Sequence, residues 1–265
     1  MRGAFRLAFR VAALWLAFIV LCSLLAPWLP LPDPLAVNLA HAASPPSLAH
    51  LAGTDELGRD VFSRLLHAAG STLQIVAGAT ALSLGIAILL GMVVGFRGGW
   101  PDVLVRLGVD LLWSVPFVVF VVLIVGVVGV SKLTLIATIG VINWVGPARV
   151  IRAEAARLRD ADFVTAARAY GYPRRMILLH ELLPNLRRSI LTLAAYGAIE
   201  VLTLETGLAF VGLSLPAPAP TWGGMLADGL SYFSTAWWIV VATSAVITAT
   251  LASLQVAARW VERTA

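Results

Sequence analysis

From Val11 to Pro32 the chain carries no charge. A run of about 20 apolar residues crosses the hydrocarbon core of a bilayer as a helix, and few other structures suit it, because lipid offers no partner for a loose backbone N–H or C=O. Five more runs of this kind follow. Leu65–Phe96 is interrupted mainly by small and hydroxyl residues, and its second part, Leu73–Gly95, is the expected span. Leu111–Ser131 is the third, helped at its start by Val103–Leu107, with Asp110 expected as a helix-end residue. Leu133–Ala148 is short, but Lys132 and Arg149 flank it with side chains long enough to reach the interfaces. Ser189–Gly212 is broken only by Glu200 and Glu205, and Gly229–Ala258 is free of charge again. Composition agrees: 60% of the residues are hydrophobic and 12% charged, against about 45–50% and 25% in a soluble domain. The sequence predicts an all-α polytopic membrane protein with six transmembrane helices.

Basic residues set the orientation of such a chain. With the N-terminus in the cytoplasm, Arg2, Arg6, Arg10, Arg97, Arg106, every basic residue from Arg149 to Arg188, Arg259 and Arg263 fall inside. Only Arg59, Arg64 and Lys132 fall outside, so sixteen of the nineteen basic residues lie on one side. Both termini are therefore expected in the cytoplasm. The net charge of +5 is a matter of topology and gives no support to nucleic-acid binding. The Arg-rich start and the stretch Ala40-His41-Ala42-Ala43 imitate a cleaved secretory signal. The apolar run is long for one, however, and Pro27, Pro30, Pro32 and Pro34 separate it from the small residues, so the first span is expected to be retained.

Several chemistries are excluded. Cys22 is single. The one lysine, Lys132, is followed by Leu133, whereas a P-loop needs G-x-x-x-x-G-K-[ST], so this chain has no such ATP site. His41, His50, His67 and His180 stand apart with no carboxylate at metal-ligand spacing, and no metal or other cofactor is expected. Nor is there a constellation of nucleophile, base or metal ligand that would make the chain an enzyme. Glu200 and Glu205, in AIEVLTLETG, leave two readings open. An acid in a span is costly and points to function, here the proton site of a stand-alone secondary transporter. Alternatively such an acid bonds exposed backbone N–H groups at an interface or helix break, for which Thr203, Thr206 and Gly207 are suited.

The remaining charge concentrates between Arg149 and Arg188, with nine arginines and the acids Glu154, Asp160, Asp162 and Glu181. Within it Phe163, Ala166, Ala167 and Tyr170 recur at helical spacing, Asp160 or Asp162 is suited to cap the start, and Gly171 to cap the end. Tyr172-Pro173 then restarts the chain, with Pro173 at a first helical position and RRMILLHELL running to Pro184. A helix of two to three turns is marginal alone in water, so a partner must bind it; Phe163 and Tyr170 would fill pockets while the alanines allow close approach.

These residues resemble the EAA loop of ABC importer permeases, whose pattern is E-A-A-x-x-x-G, nine residues, then I-x-L-P. Ala166, Ala167, Gly171, Leu183 and Pro184 match, while Thr165 replaces the Glu and Glu181 the Ile. The earlier triplet Glu154-Ala155-Ala156 lacks the glycine and the Leu-Pro at the right distance. In the family the acid helps anchor the loop, and Asp162 and Glu154 are the substitutes on offer here. GTDELGRDVFSRLLHAAGSTL (Gly53–Leu73), FRGGWPD (Phe96–Asp102) and ETGLAFVGLSLPAPAPTWGGML (Glu205–Leu226) resemble the dipeptide, oligopeptide and nickel branch. The family's G-D-x-L-R-D ending is replaced by LASLQVAARWVERTA.

The resemblance implies a type I ABC importer permease fold in a bacterial-type inner membrane. Residues 1–32 would form the N-terminus and first span, 33–72 an outer loop with an amphipathic segment, and 73–265 the core permease, with the coupling loop at 152–188. It implies docking of ATPase subunits by Asp162, Phe163, Thr165, Ala166, Ala167, Arg168, Tyr170 and Gly171, with Leu183 and Pro184 supporting the loop. Asp55, Glu56, Arg59, Asp60 and Arg64 are read both as ion pairs on a surface helix and as part of a rim meeting a solute-binding protein. The implied partners are a homologous second permease, two ABC ATPase subunits that bind ATP and Mg, an extracytoplasmic binding protein, and membrane lipid. The implied cargo is a peptide, nickel or a metal chelate.

Overall fold

The structure is a computed structural model that describes residues 2–113 and 116–264. Ser114 and Val115, within the expected third span, and the Asp110 side chain lie outside the described residues. Apart from an isolated bridge between Thr54 and Asp60, the described residues form helices and turns only.

Helix α1 covers Arg2–Leu25 and passes into a single 3-10 turn, Ala26–Trp28, where Pro27 ends it earlier than the expected Pro32. α2 runs unbroken from Val61 to Arg97, so the amphipathic segment and the span that follows are one helix of 37 residues. The expected third span is divided between α3 (Trp100–Trp113) and α4 (Phe117–Val128), with Pro116 just ahead of α4. The fourth is a bent pair, α5 (Lys132–Asn143) and α6 (Val145–Leu158), meeting at 42°. Pro147 lacks the N–H that would return to the Asn143 carbonyl, which accounts for the bend. α7 covers Asp162–Ala169.

α8, Arg174–Phe210, is longer than the expected fifth span and runs through Pro184, where a stop was expected. The turns just before the proline, Ile177–Leu182, are π-helical, and the Leu183 N–H reaches back five residues to the Leu178 carbonyl. That widening gives the proline ring room and removes the clash that ends an ordinary helix. The expected sixth span is likewise divided, into α9 (Trp222–Ser231) and α10 (Trp237–Thr264). Among the described residues, four helices are by length and composition able to cross a membrane, or five if the α5–α6 pair is one span.

The chain divides into two compact units. The first holds α1, the segment up to Ala77, Gly129–Leu133 and Ala198–Ala257. It is stitched together by indoles: Trp15 Nε1 donates to Thr250 Oγ1 (3.1 Å), Trp222 Nε1 to the Leu65 carbonyl (3.1 Å) and Trp238 Nε1 to the Thr54 carbonyl (3.0 Å). Lys132 Nζ, expected at an interface, donates to Gln74 Oε1 at 2.6 Å.

The second unit holds Gly78–Val128, Thr134–Gly197 and the end of α10. Its core gathers Phe96 from α2, Ile151 and Leu158 from α6, Val164 and Ala167 from α7, and Ile177 and Leu182 from α8. Gly91 and Gly95 bring α2 and α6 into close approach: a Cβ on Gly91 would stand 2.9 Å from the Ala148 carbonyl oxygen, and one on Gly95 would overlap that of Arg152. Small residues four apart serve this purpose in membrane helices. From α6, Arg152 Nη1 also reaches α3, donating to both carboxylate oxygens of Asp102 at 2.9 and 3.1 Å.

Candidate docking loop and polar knot

α7 begins one residue away from where the sequence places it. Ala161, in an extended conformation, is the N-cap, and Asp162 is the first helical residue. Asp160 is instead turned to its neighbour: Arg159 Nη2 donates to Asp160 Oδ2 (3.2 Å) and Nε to Oδ1 (3.3 Å), which holds the carboxyl below its ordinary range. Asp162 still lies in the first turn, where the helix dipole favours a negative charge.

The other end is as expected. The Gly171 N–H bonds the Arg168 carbonyl and the Tyr172 N–H the Ala167 carbonyl, both at 3.0 Å. This is a Schellman motif whose left-handed position, φ +80°, is occupied by Gly171. Pro173 is the N-cap of α8 rather than its first helical residue.

The faces of α7 differ from the expected stripe. Val164 and Ala167 are buried and Phe163 is half-buried against the core, so Phe163 and Ala167 face inward. Asp162, Thr165, Ala166, Ala169 and Tyr170 are exposed, Tyr170 at 82%. Ala169 was missed by the sequence reading, although spacing of i, i+3, i+4 and i+7 counted from Asp162 finds it. Arg168 is exposed and stands 5.1 Å over the Phe96 ring. Leu183 is half-buried beside the same core, and Pro184 is exposed. Glu154, one substitute for the missing loop acid, accepts a hydrogen bond from Ser189 Oγ at 2.6 Å. That leaves Asp162 as the acid on the exposed face of α7.

The charges ahead of α2 are not a surface pattern. Asp55 is 4% exposed and its carboxylate works as a hub: Oδ1 accepts the N–H groups of Leu57 (3.0 Å) and Arg59 (2.9 Å), and Oδ2 faces Arg59 Nε (2.6 Å) and Arg64 Nε (3.4 Å). Arg59 Nη2 also reaches Glu56 Oε1 at 3.1 Å. Asp60 caps α2 through the Ser63 N–H (2.7 Å), and its second oxygen pairs with His50 Nδ1 (2.9 Å). Ser63 and Arg64 then tie the helix to the carbonyls of Pro32 and Pro34. The expected i,i+4 pair Asp55–Arg59 is present, but it is buried and precedes the helix.

Gly58, at φ +73°, packs so closely on the Asn38 carbonyl that any Cβ would overlap it. Glu56, Arg59 and Arg64 line a cavity of about 530 Å³ together with the proline-rich 215–221 loop and Asp228. Burial pushes the Glu56 carboxyl up, and the Asp55 and Asp228 charges add to this.

Glu200 and Glu205 do not form one site. Glu200 is exposed on α8, while Glu205 is 2% exposed and lies under the start of α9. The Thr221 hydroxyl and Gly223 N–H are the polar groups facing it, although neither carboxylate oxygen is within hydrogen-bond geometry. A Cβ on Gly223 would stand 2.9 Å from Glu205 Oε2, so glycine permits this approach. No helix break accompanies these acids: Thr203 and Thr206 bond the carbonyls of Ile199 and Leu202 (2.8 and 2.9 Å) within a continuous α8. Among the described residues no group of three His, Cys, Asp or Glu could hold a metal ion.

The comparisons with known proteins agree on one family. Residues 87–265 match the family described as Binding-protein-dependent transport system inner membrane component. The chain is 31% identical over 220 residues to the oligopeptide transport system permease protein OppC of Bacillus subtilis (strain 168), covering 83% of this chain and 72% of that one. It is 30% identical over 224 residues to the dipeptide transport system permease protein DppC of the same organism, covering 84% and 70%. To the probable D,D-dipeptide transport system permease protein DdpC of Escherichia coli (strain K12) it is 30% identical over 229 residues, covering 86% and 76%. With a family match over most of its length and apolar helices long enough to span a membrane, the chain belongs to the binding-protein-dependent transport system inner-membrane components, the permeases of ABC importers.

Proposed function

We propose that this chain is one permease subunit of an ATP-driven importer for peptides or a related small solute, nickel and metal chelates included. It pairs with a homologous second permease, receives solute from an extracytoplasmic binding protein, and is driven by two ATPase subunits that carry the ATP and Mg. The chain itself binds no cofactor and catalyses no reaction. Both termini and α7 lie in the cytoplasm, the knot around Asp55 lies outside, and α4 completes a set of six spans with the four long helices and the bent pair. Glu56, Arg59 and the cavity they border are the part of the knot open to a binding protein.

The observation that carries this reading is the form of α7. An eight-residue helix offers Asp162, Thr165, Ala166, Ala169 and Tyr170 outward while Val164 and Ala167 are buried in a core that includes residues of α2, α6 and α8. A force applied to the exposed face is therefore passed to helices that cross the membrane. ATP-driven switching of access requires that α7 make different contacts in the two states, since equal contacts shift no equilibrium. The test is Ala166→Arg combined with Tyr170→Ala, both on the exposed face. Loss of ATPase-subunit co-purification and of solute uptake, with unchanged thermal unfolding of the chain, is expected. Undiminished co-purification and uptake would refute the docking role, and a reporter after Gly171 that reads external would refute the orientation.

A further inference from the structure

Glu205 is the buried acid that the docking role leaves unused. It is 2% exposed, neither carboxylate oxygen has a hydrogen-bond partner, and no ion pair includes it among the described residues. A carboxylate out of water is costly unless its surroundings supply positive polarity. Here the supply is the start of α9, because the first N–H groups of a helix find no partner within it. The Trp222 N–H goes to Thr72 Oγ1 and the Gly224 N–H to Thr221 Oγ1, both at 3.0 Å. That leaves the Gly223 N–H, which faces Glu205 together with the Thr221 hydroxyl. The approach is close: a Cβ on Gly223 would stand 2.9 Å from Glu205 Oε2 and from the Thr206 Cα. Since neither donor is in bonding geometry, the carboxylate acts through its charge on the positive end of the helix dipole.

The seat of α9 has a consequence for the 530 Å³ cavity. Thr221, Gly224, Met225 and Asp228 line that cavity, and so does Ser214, whose hydroxyl pairs with that of Thr221 at 3.0 Å. Glu56, Arg59 and Arg64 line it too, and the Asp228 charge is felt at both Glu56 and Arg64. Where α9 sits therefore decides how Asp228 stands to the charges of the knot. We propose that Glu205 is a positioning residue for this cavity, its carboxylate holding the N-terminus of α9 on α8 and thereby fixing Asp228 and the Ser214–Thr221 pair in the cavity lining. An acid that only filled space would need its volume and not its charge. The seating of α9 stands apart from the importer reading, and only the use made of the cavity rests on that reading.

Hydrogen–deuterium exchange on the purified transporter complex, read over residues 221–231, separates charge from volume. Glu205→Gln keeps the shape and removes the charge, and exchange there should quicken roughly five- to tenfold, the scale of a lost helix cap. Exchange in α6 and α7, which belong to the other compact unit, should stay as in wild type. Wild-type exchange over 221–231 in Glu205→Gln overturns the proposal, and so does an equal rise throughout the chain, which would be a general loosening of the fold. Should Glu205→Gln not fold, Glu205→Asp against Glu205→Asn makes the same comparison one methylene shorter; Asp should be the slower to exchange, and equal rates overturn the proposal. Uptake supplies the functional readout. Glu205→Gln should raise the KM for the solute-loaded binding protein about fivefold, with kcat within about twofold of wild type, because a displaced cavity lining weakens an encounter without touching ATP-driven switching. Faster exchange with an unchanged KM would uphold Glu205 as the seat of α9 and refute the assignment of the cavity to the binding protein.

Discussion

Thr54–Arg64 and Ala161–Gly171 each place eleven residues around a helix end and a left-handed glycine, and they are built in opposite senses. Around the start of α2 the charges turn inward: Asp55, Asp60 and Arg64 are buried, and Gly58 is pressed against the Asn38 carbonyl. Around α7 the core side needs only Val164, Ala167 and half of Phe163, the polar residues face out, and no atom lies within contact distance of a Cβ placed on Gly171. A segment whose polar groups are all engaged within the chain supports the fold. One whose polar groups are left over is available to a partner. The two should therefore respond to mutation in different currencies, stability for the first and assembly for the second.

The largest expected effect is at the hub of the knot. Asp55→Ala strands two guanidiniums in a buried place and removes the acceptor for two backbone N–H groups, which costs about 3–5 kcal/mol when one partner of a buried pair is deleted. Most of the folded chain should be lost, as read by thermal unfolding in detergent. Near-normal unfolding of Asp55→Ala would mean that the knot is solvated and that the contrast with α7 is false. Gly58→Ala should follow, at about 1–3 kcal/mol, because it forces a left-handed residue and a collision with Asn38 together. Gly171→Ala, left-handed but unobstructed, should cost only the conformational part, about 1–2 kcal/mol. If the two glycines cost the same, steric closure at Gly58 contributes nothing.

On the other side, Tyr170→Ala should leave thermal unfolding within about 0.5 kcal/mol of wild type, as expected for an exposed position. It should weaken association with the ATPase subunits by at least about 2 kcal/mol, the scale of a truncated aromatic anchor. Titration of the purified ATPase against the permease measures this. A drop in stability without a drop in affinity would place Tyr170 with the knot rather than with the docking face.

Different parts of this structure were legible in the sequence to different degrees, for physical reasons. The apolar runs identify membrane helices because burial in lipid is decided locally. Their breaks were less legible, since Pro147 and Pro184 look alike in sequence: one bends the chain by 42°, and the other is absorbed by a π-helical turn. Gly171 was readable because a Schellman end depends on its own few residues. The knot was not, because the partners that bury it, the carbonyls of Pro32 and Pro34 and the Trp238 indole, lie outside its own segment, the last of them 184 residues from Thr54. The inward turn of Phe163 and Ala167 was missed for a related reason. An eight-residue helix shows two apolar stripes, and only the position of α6 and α8 decides which is covered.

Thr165 is where the comparison is finest and the expected effect smallest. It stands where the resembling loops carry Glu, and it is exposed at the fourth helical position of α7. Asp162 already places a carboxylate on that face one turn earlier, and Glu154 is committed to Ser189. Thr165→Glu would add a charge three residues before Arg168, an arrangement worth about 0.2–0.5 kcal/mol to a helix. A carboxylate beside one that already serves should change ATPase affinity and uptake less than about twofold, which corresponds to under 0.5 kcal/mol. Asp162→Asn should then cost more than Thr165→Glu gains, and the double variant should recover part of the loss. A tenfold gain from Thr165→Glu alone would show that Asp162 does not stand in for the missing acid, and that the exposed face of α7 was incomplete without it.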